Sequence, residues 1–243
     1  MLTVNALTLS IGQQTLCRDF SETFSPGTWY TILGPNGCGK TQLLLALAGL
    51  RKPALSTLSI DDIPLSHFKP KARAKKIGIL LQHFPEAISN QVKEAITSVM
   101  SESYDKRLEK TEKLLSLCDL NTLANRSIDT LSGGETQRVM IAMLLAQDPD
   151  TLLLDEPCNH LDIRHQVSLL NHLTSLKQTG KTIITVMHDL NLAYRYADHI
   201  LLMLPDQIIS NKKHIAMCEA QLSKLYNTPI SRHDTEAHTI FLS

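Results

Sequence analysis

Between residues 34 and 41 the chain reads GPNGCGKT, a G-x-x-x-x-G-K-[ST] run placed after an apolar strand-like stretch and before a helix-like one. That spacing suits phosphate. The segment Gly34, Pro35, Asn36, Gly37, Cys38 and Gly39 can wrap so that its free amides point at an anion; Lys40 can reach outer phosphates, and the Thr41 hydroxyl can ligate Mg²⁺. More than a hundred residues on, TLLLDEP ends an apolar strand in Asp155 and Glu156. Because the chain turns there, Asp155 can face a metal shell while Glu156 faces an attacking water. Gln82 and His188 also close strand-like runs, KKIGILLQ and TIITVM. Singly each is an ordinary polar residue leaving a sheet. Strand ends at the carboxyl edge of a parallel sheet, however, are where open α/β folds bind ligands, and four such ends would converge on one nucleotide. A further stretch, LSGGETQR from Leu131, places Ser132, Gly133, Gly134 and Glu135 as a helix start that suits an anion.

These residues need a scaffold of alternating strands and helices. Residues 1 to 33 read as β: TVNALTLSI, a polar turn, then TWYTIL with Trp29 and Tyr30 as core residues. A helix is expected from Lys40 to Leu50. TLSIDDI and KKIGILLQ read as strands inside a Pro- and Lys-punctuated stretch, and apolar residues at helical spacing in VKEAITSVM and LEKTEKLLSLCDL mark a helical insertion over about 84–130. Alternation then resumes: a helix from Gly134, strand TLLLD, a helix over Ile163 to Gln178, strand TIITVM, helix LNLAYRYA and strand HILLML. EAQLSKLYN and AHTIFLS read as a last helix and strand. The alternation predicts a mainly parallel sheet with crossover helices.

Composition narrows the function. Lysine plus arginine and aspartate plus glutamate both total 24 in 243 residues, so no basic excess is available to hold a nucleic-acid backbone. Cys17, Cys38, Cys118, Cys158 and Cys218 are scattered, without a C-x-x-C pair, which suits reduced cytoplasmic thiols. No apolar run approaches the roughly 18 residues of a membrane span, and the start lacks the pattern of a signal peptide.

GPNGCGKT, Gln82, LSGGE, LLLDEP, NHLD and the histidine of VMHDLNLA follow in the order and approximate spacing of the nucleotide-binding subunit of an ABC transporter, which the chain resembles over nearly its whole length. The resemblance implies an α/β P-loop NTPase core carrying an N-terminal antiparallel β subdomain and a small α-helical subdomain, all in one nucleotide-binding domain, 1–243. It implies ATP hydrolysis with ATP and Mg²⁺ as cofactors. Thr41, Gln82 and Asp155 would serve the metal, Gln82 also coupling the site to the partner subunit. Glu156 would be the general base, His188 the contact to the γ-phosphate, and Lys40 a catalytic cation. Ser132, Gly133 and Gly134 would act in trans, on ATP held by the phosphate loop of a second copy, with Asp162 of NHLD joining the dimer interface.

HDLNLAYRYADHI and the tail are similar to the ATPases of metal-chelate importers, those for iron-siderophore, haem and cobalamin. That implies a polytopic permease subunit, a solute-binding protein in the complete system, and a peripheral place on the inner face of the plasma membrane. The permease is expected in the groove near Gln82 to Ile96. On the bland reading of the same run, Asp189 simply caps its own helix. Two alternatives stand beside the importer: a soluble ABC assembly clamp of the iron-sulfur scaffold type, and a nucleotide-gated interaction module. Three positions depart from the family pattern. Ile11 stands where an aromatic usually stacks on adenine, Cys38 where serine or alanine is commoner, and Gln42 where a small hydroxyl residue is usual. The late LMLPDQIISNKK also lacks the usual hairpin glycines.

Overall fold

The computed structural model describes residues 1–53, 55–82, 91–234 and 239–242. The chain begins with strands β1 (Leu2–Ile11), β2 (Gln14–Phe24) and β3 (Trp29–Leu33), then helix α1 (Lys40–Leu47). Next come β4 (Leu55–Ile60), β5 (Ile63–Pro64), α2 (Pro70–Lys76) and β6 (Ile77–Leu80). The helical region holds α3 (Val92–Ser98), α4 (Tyr104–Leu117) and α5 (Gly133–Gln147). Strand–helix alternation follows through β7 (Thr151–Asp155), α6 (Ile163–Gln178), β8 (Thr182–Val186), α7 (Leu190–Tyr196) and β9 (His199–Leu204). The chain continues with β10 (Gln207–Lys212), α8 (Lys213–Ala216), α9 (Glu219–Tyr226) and the pair β11 (Ser231–Asp234) and β12 (Thr239–Leu242).

The main sheet runs β10-β9-β3-β8-β7-β6, parallel throughout except for the β9–β10 hairpin at its edge. A second, antiparallel sheet runs β2-β1-β4-β5. The expected α/β class and the antiparallel N-terminal sheet are therefore both present. Period-two alternation gives the main sheet two buried faces. Trp29, Leu33, Leu152, Leu154 and Ile183 join the core built with the later helices; Tyr30, Ile32, Leu153, Ile184 and Val186 join the core shared with α1 and the antiparallel sheet. Trp29 is wholly buried and its indole N–H donates to Thr185 Oγ1 at 2.9 Å, so the polar atom of the largest core side chain is satisfied.

Several expectations shift in detail. α1 stops at Leu47 rather than Leu50, where Gly49 adopts φ +66° and closes the turn. β2 is a separate strand, and α2 is a helix that the periodicity did not reveal; none of its residues is buried, so it carries no apolar stripe. α3 and α4 fall inside the insertion expected over about 84–130, and both pack on α5, so the helical layer takes in the helix that follows LSGG. Part of the groove expected near Gln82 to Ile96 lies outside the described residues. In the late hairpin Asp206, at φ +62°, takes the left-handed position that a glycine would usually fill.

Candidate active site

Parallel strands end on the same edge, and that edge gathers the segments following β3, β6, β7 and β8. The loop after β3 turns through Gly39, whose φ of +101° suits glycine and whose Cα faces Leu16 so closely that a Cβ would stand 2.5 Å from Leu16 Cδ1. Lys40 then opens α1. Its ammonium, 6% exposed, donates to the carbonyls of Gly34 at 2.8 Å and Pro35 at 3.0 Å, which holds the charge over the loop. Thr41 Oγ1 donates to Asp155 Oδ2 at 2.6 Å.

Asp155 is 1% exposed, and its other oxygen, Oδ1, is buried without a partner. Burial pushes this carboxyl above the usual carboxylate range, while the Thr41 hydroxyl pulls the other way. A buried, unsatisfied carboxylate oxygen beside a hydroxyl and a phosphate loop fits a hard divalent cation. Among the described residues no three His, Cys, Asp or Glu side chains converge as a metal cage. Mg²⁺ needs none, because it is usually held by one or two carboxylates together with substrate phosphates and water.

Glu156 follows at once, in the left-handed region at φ +49°. That conformation costs a non-glycine residue about 1–2 kcal/mol, and it turns the chain at the end of β7, with the Glu156 amide donating to Val186 O at 3.2 Å. Three donors surround the carboxylate: Gln82 Nε2 at 3.2 Å, Asn159 Nδ2 and His188 Nε2. Gln82, Asp155, Glu156 and His188, expected from separate strand ends, thus meet beside Lys40 and Thr41. Asn159 was not singled out in the sequence. Its position three residues after Glu156, across a turn closed by Asn159 N–H donating to Glu156 O at 3.1 Å, is the signal that could have found it. Tyr226 was missed as well: its hydroxyl is buried without a partner beside Gly34 and Cys38, and burial pushes the phenol up to about 12.

The LSGGE segment lies outside this cluster, with no hydrogen bond between them. Ser132 caps α5 in a capping box: Glu135 N–H donates to Ser132 Oγ at 3.4 Å, and Ser132 N–H donates to Glu135 Oε2 at 2.8 Å. Ser132 and Gly133 are exposed, and a Cβ on Gly133 would meet nothing within 4 Å. Gly134 differs, since a Cβ there would stand 2.6 Å from His160 O. Gln137 Nε2 also donates to Pro157 O at 3.4 Å, so α5 is fastened to the turn that follows Glu156. Asp162 is exposed and caps α6, accepting from His165 N–H at 2.9 Å. His165 Nε2 lies 2.7 Å from Arg138 Nη1, tying α6 back to α5.

The family model for the ABC transporter matches residues 17–159. The ferric enterobactin transport ATP-binding protein FepC of Escherichia coli (strain K12) is 36% identical over 212 residues, covering 84% of this chain and 78% of that relative. The petrobactin import ATP-binding protein FpuD of Bacillus anthracis is 33% identical over 250 residues, covering 94% and 92%. Among solved structures, the dimeric post-hydrolysis state of the ATP-binding cassette MJ0796 bound to ADP and Pi is similar with TM-score 0.79 and 26% identity, covering 88% of this chain and 99% of that one. The chain belongs to the ABC transporter family, as an ATP-binding and ATP-hydrolysing cassette. No helix among the described residues is long and apolar enough to cross a membrane.

Proposed function

We propose that this ABC cassette drives a separate membrane permease that imports a metal chelate, a ferric siderophore first, and that two copies act head to tail around two ATP molecules. The observation that carries the chemistry is the buried, unpartnered Oδ1 of Asp155 beside Thr41, one residue from a Glu156 carboxylate gripped by three donors. The cargo reading rests on the relatives, which are named for enterobactin transport and petrobactin import. Both match most of this chain, over 84% and 94% of its length. The assembly-clamp and interaction-module alternatives have no comparable support.

In this reading the backbone amides between Asn36 and Gly39 and the Lys40 ammonium take the phosphates of ATP, at a site where the burial of Lys40 strengthens its charge contact. Thr41, Asp155 and Gln82 would hold Mg²⁺, which would neutralise the charge on the phosphate oxygens. Glu156 accepts a proton from water as the water oxygen attacks the γ-phosphorus and the bond to ADP breaks. His188 steadies Glu156 and reaches toward the γ-phosphate. Gln82 reports occupancy to the permease through the segment that follows it, toward Ile96. Ser132, Gly133 and Gly134 of the second copy close over the same phosphate, with Asp162 at the seam. A solute-binding protein completes the system, and the cassette sits on the inner face of the plasma membrane through its permease.

Purification of the chain from detergent-solubilised membranes tests this. Recovery of a polytopic partner, together with loss of ferric-siderophore uptake when the chain is removed, is the expected result. A wholly soluble pool with a soluble partner would overturn the transport reading.

A further inference from the structure

Catalysis uses His188, but the rest of the H-D-L-N run has other work. Asp189 Oδ1 accepts from the amides of Asn191 at 2.8 Å and Leu192 at 3.0 Å, capping α7 directly after the histidine. Asn191 then grips the last strand at two points. Phe241 N–H donates to Asn191 Oδ1 at 2.8 Å, and Asn191 Nδ2 donates to Phe241 O at 3.5 Å. One turn further along the same face, the Tyr194 ring packs edge-on against Phe241 with centroids 5.4 Å apart. Arg232 of β11 lies over that ring at 5.2 Å and donates to the Tyr194 hydroxyl at 3.1 Å. Phe241 itself is 5% exposed, so the clasp is anchored at a buried residue.

The same C-terminal segment flanks the phosphate site. A cleft of about 470 Å³ separates His188 and Asn191 from Tyr226, Thr228 and Ile230, with Phe241 in its wall. Tyr226 ends α9 beside the phosphate loop. The β11–β12 pair therefore fastens α7, whose cap Asp189 directly follows His188. Glu156, which meets the His188 ring, is held independently by the turn after β7.

We propose that Asn191 is a positioning residue: by holding the main chain of Phe241 it fixes α7, and through it the His188 ring against Glu156, which makes the C-terminal hairpin part of the hydrolytic machinery. The inference rests on the ATPase reading of the site. Its cause is geometric, since a displacement of about 1 Å in a reacting group can cost 10²-fold in rate.

The test uses the full chain with Asn191→Leu, which removes both clasp bonds, and Asn191→Asp, which keeps the acceptor for Phe241 N–H. Phosphate release should fall about tenfold or more in kcat for Asn191→Leu with the KM for ATP within about twofold, and Asn191→Asp should retain most of the rate. In a His188→Ala background, Asn191→Leu should cost nothing further, because the two act as one unit. The ring nitrogen signals of His188 in the nucleotide-free chain supply a readout independent of turnover; they should shift in Asn191→Leu and hold in Asn191→Asp. If Asn191→Leu does not fold, Asn191→Ser removes the clasp with a smaller side chain. Loss of rate that adds fully to that of His188→Ala, or an unmoved His188 ring signal, overturns the proposal. A parent chain that releases no phosphate counts against the ATPase reading alone, and the ring signals then decide this inference by themselves.

Discussion

GPNGCGKT and LSGGE are both glycine-rich helix starts, yet the fold treats them in opposite ways. The first is anchored at the carboxyl edge of the sheet: its tip, Pro35 to Gly37, is exposed, but Leu16 packs on Gly39, Lys40 is 6% exposed and Thr41 is tied to a buried Asp155. The second stands open, with Ser132 and Gly133 exposed and Glu135 serving as the helix start's own anion. The Ser132 backbone N–H, and then the Ser132 hydroxyl, draw the Glu135 carboxyl below its usual range. On the proposed function, the anchored helix start serves ATP held by its own copy, and the open, self-capped one serves ATP held by a second copy. The difference separates what one copy can do from what needs two.

The largest effect should come from the buried half. Glu156→Gln keeps the size and the acceptor oxygen but cannot take a proton, so turnover should fall by about 10²- to 10⁴-fold while ATP binding persists, as equilibrium nucleotide titration would report. The ATP-bound dimer should then accumulate and be visible by size-exclusion chromatography with light scattering.

That trapped dimer makes the open half measurable. Ser132→Arg and Gly133→Leu should each abolish it and lower phosphate release by about 10²-fold, with monomer ATP binding unchanged. Gly133→Leu should leave the monomer's melting temperature equal or higher, since nothing lies within 4 Å of its Cβ and glycine is a poor helix residue. Gly134→Ala is the control inside the same motif: its Cβ would press on His160 O, costing about 1–3 kcal/mol of monomer stability. Equal behaviour of the two glycine variants would erase the contrast between the halves.

A subtler effect concerns Asp155. Its carboxyl is raised in the folded chain by burial, so the native state holds the proton more tightly than the unfolded state does. The contribution of Asp155 to nucleotide-free stability should therefore be lost as pH climbs upward from about 4, opposite in sign to that of the lowered Glu135 carboxyl, and is read as the difference in pH slope between the parent and a variant at 155. Asp155→Asn retains an acceptor for Thr41 and should remove this contribution to the slope in thermal melts while losing Mg²⁺-dependent ATP affinity. A variant with the parental slope would sink the burial argument.

The smallest change is expected at Ile11, 42% exposed at the end of β1 and paired across the turn with Gln14, two residues before the Leu16 that packs on the phosphate loop. Ile11→Tyr supplies a ring for adenine and should lower the KM for ATP by about fivefold, the low end of base-stacking energies. No change would place the base elsewhere.

The legible parts of the chain were those whose pattern is local. Strands buried on both faces, TLLLD and TIITVM, showed as unbroken apolar runs, and the helix over Ile163 to Gln178 was found to its ends because Asp162 caps it and its apolar positions repeat at helical spacing. β2 was blurred because bulges interrupt its pairing with β1, with Ala6 and Asp19 at positive φ, so period-two alternation breaks down. α2 buries nothing and β11 is almost wholly polar, so neither carries a hydrophobic signal. The H-D-L-N run was read from sequence as either a family mark or a self-capped helix; the cap is real, and Asn191 adds a long-range clasp that no local pattern could announce.

Residue types and their spacing alone set the chemistry on offer. Side-chain type and spacing put an amide cradle, an ammonium, a hydroxyl and two carboxylates at the ends of strands, and the alternation of strands with helices required those ends to share one edge. Which groups meet follows from the packed fold. Thr41 reaches Asp155 and Gln82 reaches Glu156 across more than seventy residues of chain, one carboxylate oxygen is left buried and free, and one glycine-rich turn is anchored on a buried lysine while the other caps itself at the surface. The physical reason is that residue type and local periodicity fix what a segment can offer and which face it buries, whereas desolvation and pairing depend on neighbours brought in from elsewhere in the fold.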